Sequence, residues 1–146
     1  MVVEAVEDQF RYNFVASLVD IGCGSGVICI VAEKLGARRA EGVDIDENGI
    51  TAARENASHN DCRALSFALG SAELVRGQFD LVVCNMISSE MKSVSDSFRR
   101  ILAPNGRLIL SGLLVEEENS VIDFLDLDVE GRSERDGWLL LVGRLR

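Results

Sequence analysis

The sequence predicts an α/β fold with a mainly parallel sheet, and three observations carry that prediction. Short apolar runs alternate with stretches of helical periodicity, the pattern of repeated βαβ units. A glycine-rich turn joins the first apolar run to the helical stretch after it. The last two strand-like runs flank Asp136-Gly137, a dipeptide suited to a tight hairpin, so the sheet should close with an antiparallel strand.

Each element follows in order. Val3, Val6, Phe10 and Phe14 recur at near-helical spacing and predict an opening helix. Leu18-Val19-Asp20-Ile21 reads as the first strand, and Val27, Ile28, Ile30, Val31 and Leu35 as the buried side of the next helix. Gly36 stands where a helix C-terminus favours a residue tolerant of positive φ. Ala40–Ile45 is the second strand, after which Asp46 caps a helix carrying Ile50, Ala53 and Ala57. Ala64–Leu69 and Phe79–Cys84 read as the third and fourth strands. Met91, Val94, Phe98, Ile101 and Leu102 trace one helical stripe, ended by a turn at Pro104-Asn105-Gly106 before a fifth strand over Arg107–Ser111. Val121, Ile122 and Leu125 mark a last helix, and Asp128–Arg146 two strands.

With 146 residues, 47% apolar and 27% charged, the chain has the size and balance of one globular domain. No apolar run approaches the ~20 residues that span a bilayer, and Met1-Val2-Val3-Glu4 carries no secretory signature, so a cytoplasmic location is expected. A net charge of −9 and scattered arginines argue against a nucleic-acid groove. Cys23, Cys29, Cys62 and Cys84 lack metal-ligand spacing and His59 has no partners, so small buried thiols and no metal site are expected.

The strongest signal is Asp20-Ile21-Gly22-Cys23-Gly24-Ser25-Gly26, between the first strand and its crossover helix. Glycines there let the backbone approach a ligand, and the turn lies at the carboxyl end of the sheet, where open α/β folds bind ligands. The dinucleotide fingerprint Gly-x-Gly-x-x-Gly/Ala is not met, because Val27 or Cys29 falls at its third small position. Asp44 ends the second strand 18 residues after Gly26, where a carboxylate can accept both hydroxyls of an adenosine ribose.

Asp-x-Gly-x-Gly-x-Gly resembles motif I of class I methyltransferases. The resemblance implies a Rossmann-like fold with a seven-stranded, mainly parallel sheet and a C-terminal antiparallel hairpin, and S-adenosyl-L-methionine as cofactor. It places Gly22, Cys23, Gly24 and Gly26 around the methionine part, gives Asp20 the support of the loop and reach to the amino group, and adds Asp44, Ile45, Ser71, Ala72 and Asn85 to the cofactor site. Five stretches are similar to the bacterial family that methylates the eleventh protein of the large ribosomal subunit: Val19–Gly26, Gly42–Asp46, Ala52–Asn56, Phe79–Asn85 and Leu102–Gly112. Asn85 with the following Met86-Ile87, together with Leu108–Gly112, points to this family rather than to methyltransferases at large.

That family implies a protein substrate, with the Asn85 carbonyl oxygen accepting a hydrogen bond from the substrate amine as the catalytic contact. The chain departs from the family pattern at three points. Only 17 residues precede Leu18, where the family has a substrate-recognition domain, so a partner supplying that recognition is expected. The family's Gly/Thr/His loop is missing, and the acidic residue after the third strand is replaced within Leu69-Gly70-Ser71-Ala72-Glu73, leaving Ser71 or Glu73 to face the adenine. A small-molecule methyltransferase and a catalytically silent cofactor-binding module are the alternatives.

Overall fold

The computed structural model describes residues 1–146. Seven strands form one sheet in the order β3-β2-β1-β4-β5-β7-β6. They are β1 (Ser17–Ile21), β2 (Arg39–Asp44), β3 (Leu65–Leu69), β4 (Phe79–Asn85), β5 (Leu102–Leu114), β6 (Leu127–Arg135) and β7 (Trp138–Leu145). The first five pair in parallel, while β7 runs antiparallel between β5 and β6. This is the sheet the sequence predicted, including the inserted last strand. Asp136 and Gly137 make its two-residue hairpin with φ of 53° and 81°, the double positive φ of a type I′ turn.

Helices cover both faces. Val6 of α1 (Val2–Tyr12) and Ile28, Cys29 and Ala32 of α2 (Val27–Lys34) pack on Leu18, Leu81, Val83 and Ile109. Next to α2 lies α3 (Glu47–His59), whose start is capped by Asp46 accepting from the Asn48 N–H at 3.0 Å. The other face carries α4 (Ser88–Val94), α5 (Phe98–Ile101) and α6 (Glu118–Leu125). Their Met91, Phe98, Ile101, Val121 and Leu125 bury against Val19, Ile21, Val82 and Leu110. Consecutive strand residues thus feed opposite cores, which is why Leu18-Val19 of β1 and Leu81–Cys84 of β4 are apolar at successive positions. Cys23, Cys29 and Cys84 are buried free thiols.

Four expectations need correction, the first being that Val27 and Leu35 lie on the buried side of α2: at its two ends they are 50% and 39% exposed. The helix expected over Met91–Leu102 is broken into α4, a 3-10 turn at Ser95–Ser97 and α5, with Leu102 already in β5. Ser93 and Ser95 donate their hydroxyls to the Glu90 and Lys92 carbonyls, local bonds that compete with a continuous helix. Pro104-Asn105-Gly106 does not separate helix from strand but forms a bulge inside β5, between the pairings of Phe79 with Leu102 and Leu81 with Arg107. Phe14 lies beyond the end of α1 and is 81% exposed, because the helix stops at Tyr12. No helix is long and apolar enough to cross a membrane.

Candidate functional site

The sheet order reverses between β1 and β4, and in such folds the crevice at the carboxyl ends of the strands takes the ligand. A cleft of about 600 Å³ lies there. Gly22 follows β1, Asp44 and Ile45 end β2, Gly70 and Ser71 follow β3, and Asn85, Met86 and Ile87 continue β4 around it. Topology therefore gathers Gly22, Asp44, Ile45, Ser71 and Asn85, all expected site residues, into one cavity.

The glycine loop depends on glycine for its backbone. Gly22, Gly24 and Gly26 have φ of 78°, 50° and 78°, a region that side chains resist. The N–H groups of Gly22 and Cys23 donate to the Val43 carbonyl at 2.8 and 3.1 Å, pinning the loop to β2. Asp44 completes the clamp: its Oδ2 accepts from the Gly24 N–H at 2.7 Å and its Oδ1 from the Asp46 N–H at 2.9 Å. Each oxygen keeps a second lone pair for a donor in the cleft. Ile45 beside it is 80% exposed, an apolar surface with nothing of the chain over it.

Beneath the loop sits Asp20, only 2% exposed, with its Oδ1 lacking any hydrogen-bond partner. Burial, reinforced by the like charge of Asp44, raises its carboxyl pKa to about 7. No cation compensates it. Burial likewise pushes the Cys23 thiol up to about 12 and the Cys84 thiol well above the ordinary range, so neither is a nucleophile at neutral pH.

Other expected residues stand outside the cleft lining. Cys23 is buried against β2, where a Cβ on Gly42 would come within 2.7 Å of its Sγ. Gly26 begins α2, and a side chain there would meet Ala53 and Phe67 at 2.9 Å, so its smallness serves packing of α2 against α3 and β3. Gly24 faces open space on its Cβ side. Ala72 points its methyl into the core, while its carbonyl accepts from Arg100 Nη2 at 2.8 Å. Glu73 is exposed and does not line the cavity.

The sequence reading missed the wall made by Met86, Ile87, Glu90, Ser93 and Val94. Long-range contacts hold it. The Met86 N–H donates to the Ser111 carbonyl at 3.0 Å, and Gly112 allows an approach that a Cβ would block at 2.8 Å from the Met86 backbone. Ser88 Oγ hydrogen-bonds Glu117 Oε1, while Glu117 Oε2 accepts from the Leu114 N–H at 2.8 Å. The Ser88 bond is the main cause holding the Glu117 carboxyl below its usual range. Asn85 is exposed at the end of β4 and also borders a second pocket with Ser111, Gly112 and Trp138. The only local signal for this wall was the apolar Met86-Ile87 pair after a strand.

Comparison with known proteins matches this architecture. The family model for ribosomal protein L11 methyltransferase (PrmA) matches residues 1–146. A ribosomal protein L11 methyltransferase from Pseudomonas paraeruginosa is 38% identical over 132 residues, 88% of this chain and 45% of the relative. The chain thus spans less than half the length of that curated relative. Among solved structures, the ribosomal protein L11 methylase of Lactobacillus delbrueckii subsp. bulgaricus superposes with a TM-score of 0.91 at 23% identity, over 99% of this chain and 77% of that one. An RNA methyltransferase from Salinibacter ruber, solved in complex with S-adenosyl-L-homocysteine, shares the fold at a TM-score of 0.76 and 19% identity, over 97% and 88% of the two chains. With its full length matched by the family model, the chain belongs to the ribosomal protein L11 methyltransferase (PrmA) family.

Proposed function

We propose that the chain binds S-adenosyl-L-methionine in the cleft and transfers its methyl group to an amine of a protein substrate, a ribosomal protein by analogy with its relatives. The observation that carries this reading is the sharing of one cavity by Gly22 of the glycine loop, the Asp44 carboxylate and Asn85. The residues present fit the cofactor. Asp20 offers a buried acceptor that lacks a donor, which an ammonium group supplies. Asp44 has acceptor capacity left for ribose hydroxyls, Ile45 an apolar face for a base, and Ser71 a hydroxyl at the end of β3. Bound there, S-adenosyl-L-methionine supplies a methyl group already activated by its sulfonium.

Little acid–base machinery is then required of the protein, whose task is alignment of an unprotonated nucleophile. Asn85 is the catalytic residue of the proposal, its amide oxygen accepting a hydrogen bond from the acceptor amine. The net charge of −9 suits a basic protein substrate and disfavours direct nucleic-acid binding. A cytoplasmic location completes the proposal.

Two expected results arise here. Asp44→Ala, which removes the hydrogen bonds from the Gly24 and Asp46 N–H groups and the ribose acceptor, weakens S-adenosylhomocysteine binding about ten- to hundredfold in a folded protein. Calorimetric titration measures it, and an unchanged affinity places the ribose elsewhere. Asn85→Ala lowers methyl transfer from radiolabelled cofactor into ribosomal protein extract by about tenfold or more, with S-adenosylhomocysteine affinity nearly intact. Equal turnover in both proteins removes Asn85 from catalysis. Absence of turnover in the wild type, despite cofactor binding, favours the silent module.

A further inference from the structure

The charge lining of the cleft has a consequence for the acceptor. No lysine or arginine lines it, whereas two carboxylates do, those of Asp44 and Glu90. The two are not equivalent. Asp44 is engaged by two backbone N–H groups. Glu90 takes part in no ion pair, and only its backbone carbonyl is engaged, by Ser93. It stands on the first turn of α4, five residues beyond Asn85, on the β4 side of the cavity. The segment carrying it is anchored at Met86 by the Ser111 carbonyl and at Ser88 by Glu117, so the carboxylate is presented from a fixed support.

We propose that Glu90 selects the methyl acceptor, its carboxylate docking the cationic side-chain amine of a protein lysine beside Asn85. This rests on the methyltransferase reading above. An ammonium entering the cleft meets an exposed, unpaired anion, and a charge-assisted contact forms there without breaking an existing one. A neutral side chain of the same length gains nothing from Glu90, and an anionic or phosphate-bearing acceptor is repelled by it. Because a carboxylate favours the charged amine, Glu90 acts on docking, while the unprotonated nucleophile is the concern of Asn85.

The test titrates protein saturated with S-adenosylhomocysteine with acetyl-Ala-Ala-Lys-Ala-Ala-amide and with its norleucine counterpart, following backbone amide shifts of residues 85–94 by NMR. The expected result is binding of the lysine peptide that weakens with added salt, and about two- to fivefold weaker binding of the norleucine peptide. Glu90→Gln weakens the lysine peptide about two- to fivefold and flattens its salt dependence, while Glu90→Asp retains a preference for lysine. Equal binding of the two peptides to wild type, no binding of either, or a lysine affinity indifferent to Glu90→Gln overturns the assignment. Failure of the wild type to take up S-adenosylhomocysteine overturns the cofactor reading as well, which separates the two failures.

Discussion

Gly22→Val is expected to abolish cofactor binding, with a loss in S-adenosylhomocysteine affinity of at least about hundredfold. Two effects act together. The backbone at this position has φ of 78°, which costs a β-branched residue roughly 1–2 kcal/mol or more. A Cβ there also meets Met86 Cε at 2.9 Å, and the rest of the isopropyl group occupies the cleft that Gly22 lines. Met86 is flexible enough to yield, so the domain folds with Tm lowered by about 5–10 °C. Gly24 makes the contrast: its Cβ direction is open, so Gly24→Asn, a residue tolerant of this conformation, lowers Tm by less. Calorimetry and thermal melts check both variants. Normal cofactor binding by Gly22→Val makes the loop a structural turn only.

Asp20→Asn is expected to stabilise the ligand-free protein at pH 8 while weakening the cofactor. The folded carboxyl keeps its proton up to about pH 7, whereas an ordinary aspartate loses it near 3.8, so the native state carries an extra proton between these limits. Stability therefore falls as pH rises through that window; the penalty is absent below about 3.8 and fully present above about 7. A shift from 3.8 to about 7 corresponds to roughly 4 kcal/mol. A buried amide without partners returns about 1–3 kcal/mol of that, leaving a net gain of about 1–3 kcal/mol at pH 8. Urea unfolding at pH 5 and pH 8 measures it: the wild type loses stability across the interval and the variant loses less. Parallel pH dependence in the two proteins contradicts the buried, unpaired carboxylate. With the ammonium acceptor neutralised, S-adenosylhomocysteine affinity falls about tenfold or more.

The fold was legible because its determinants are local and periodic. Alternating apolar runs, Asp46 as a cap, Gly36 after α2 and Asp136-Gly137 between β6 and β7 each act within a few residues. Half of the site was legible for the same reason, since Gly22 and Asp44 lie at fixed spacing along a βαβ unit. The other half depends on contacts between segments distant in sequence. Nothing near Met86 announces that Gly112 admits its backbone, nor near Ser88 that Glu117 holds it, so the wall from Met86 to Val94 had no sequence signal beyond two apolar residues. The glycines show the same limit. Spacing set Gly22 and Gly26 in one motif, but only packing separates Gly22 in the cleft from Gly26 between α2 and α3. The helical stripe from Met91 to Leu102 had the right period, yet serine hydroxyls competing for carbonyls broke it in two.

The cleft is proposed to hold an adenosine cofactor of the methionine type. Isothermal titration of the folded chain with S-adenosylhomocysteine, beside a parallel titration with NAD, tests it most directly. The expected result is one saturable site per chain for S-adenosylhomocysteine, abolished by Gly22→Val, and no saturable heat for NAD. No saturation by millimolar S-adenosylhomocysteine, or tighter binding of NAD, would contradict it.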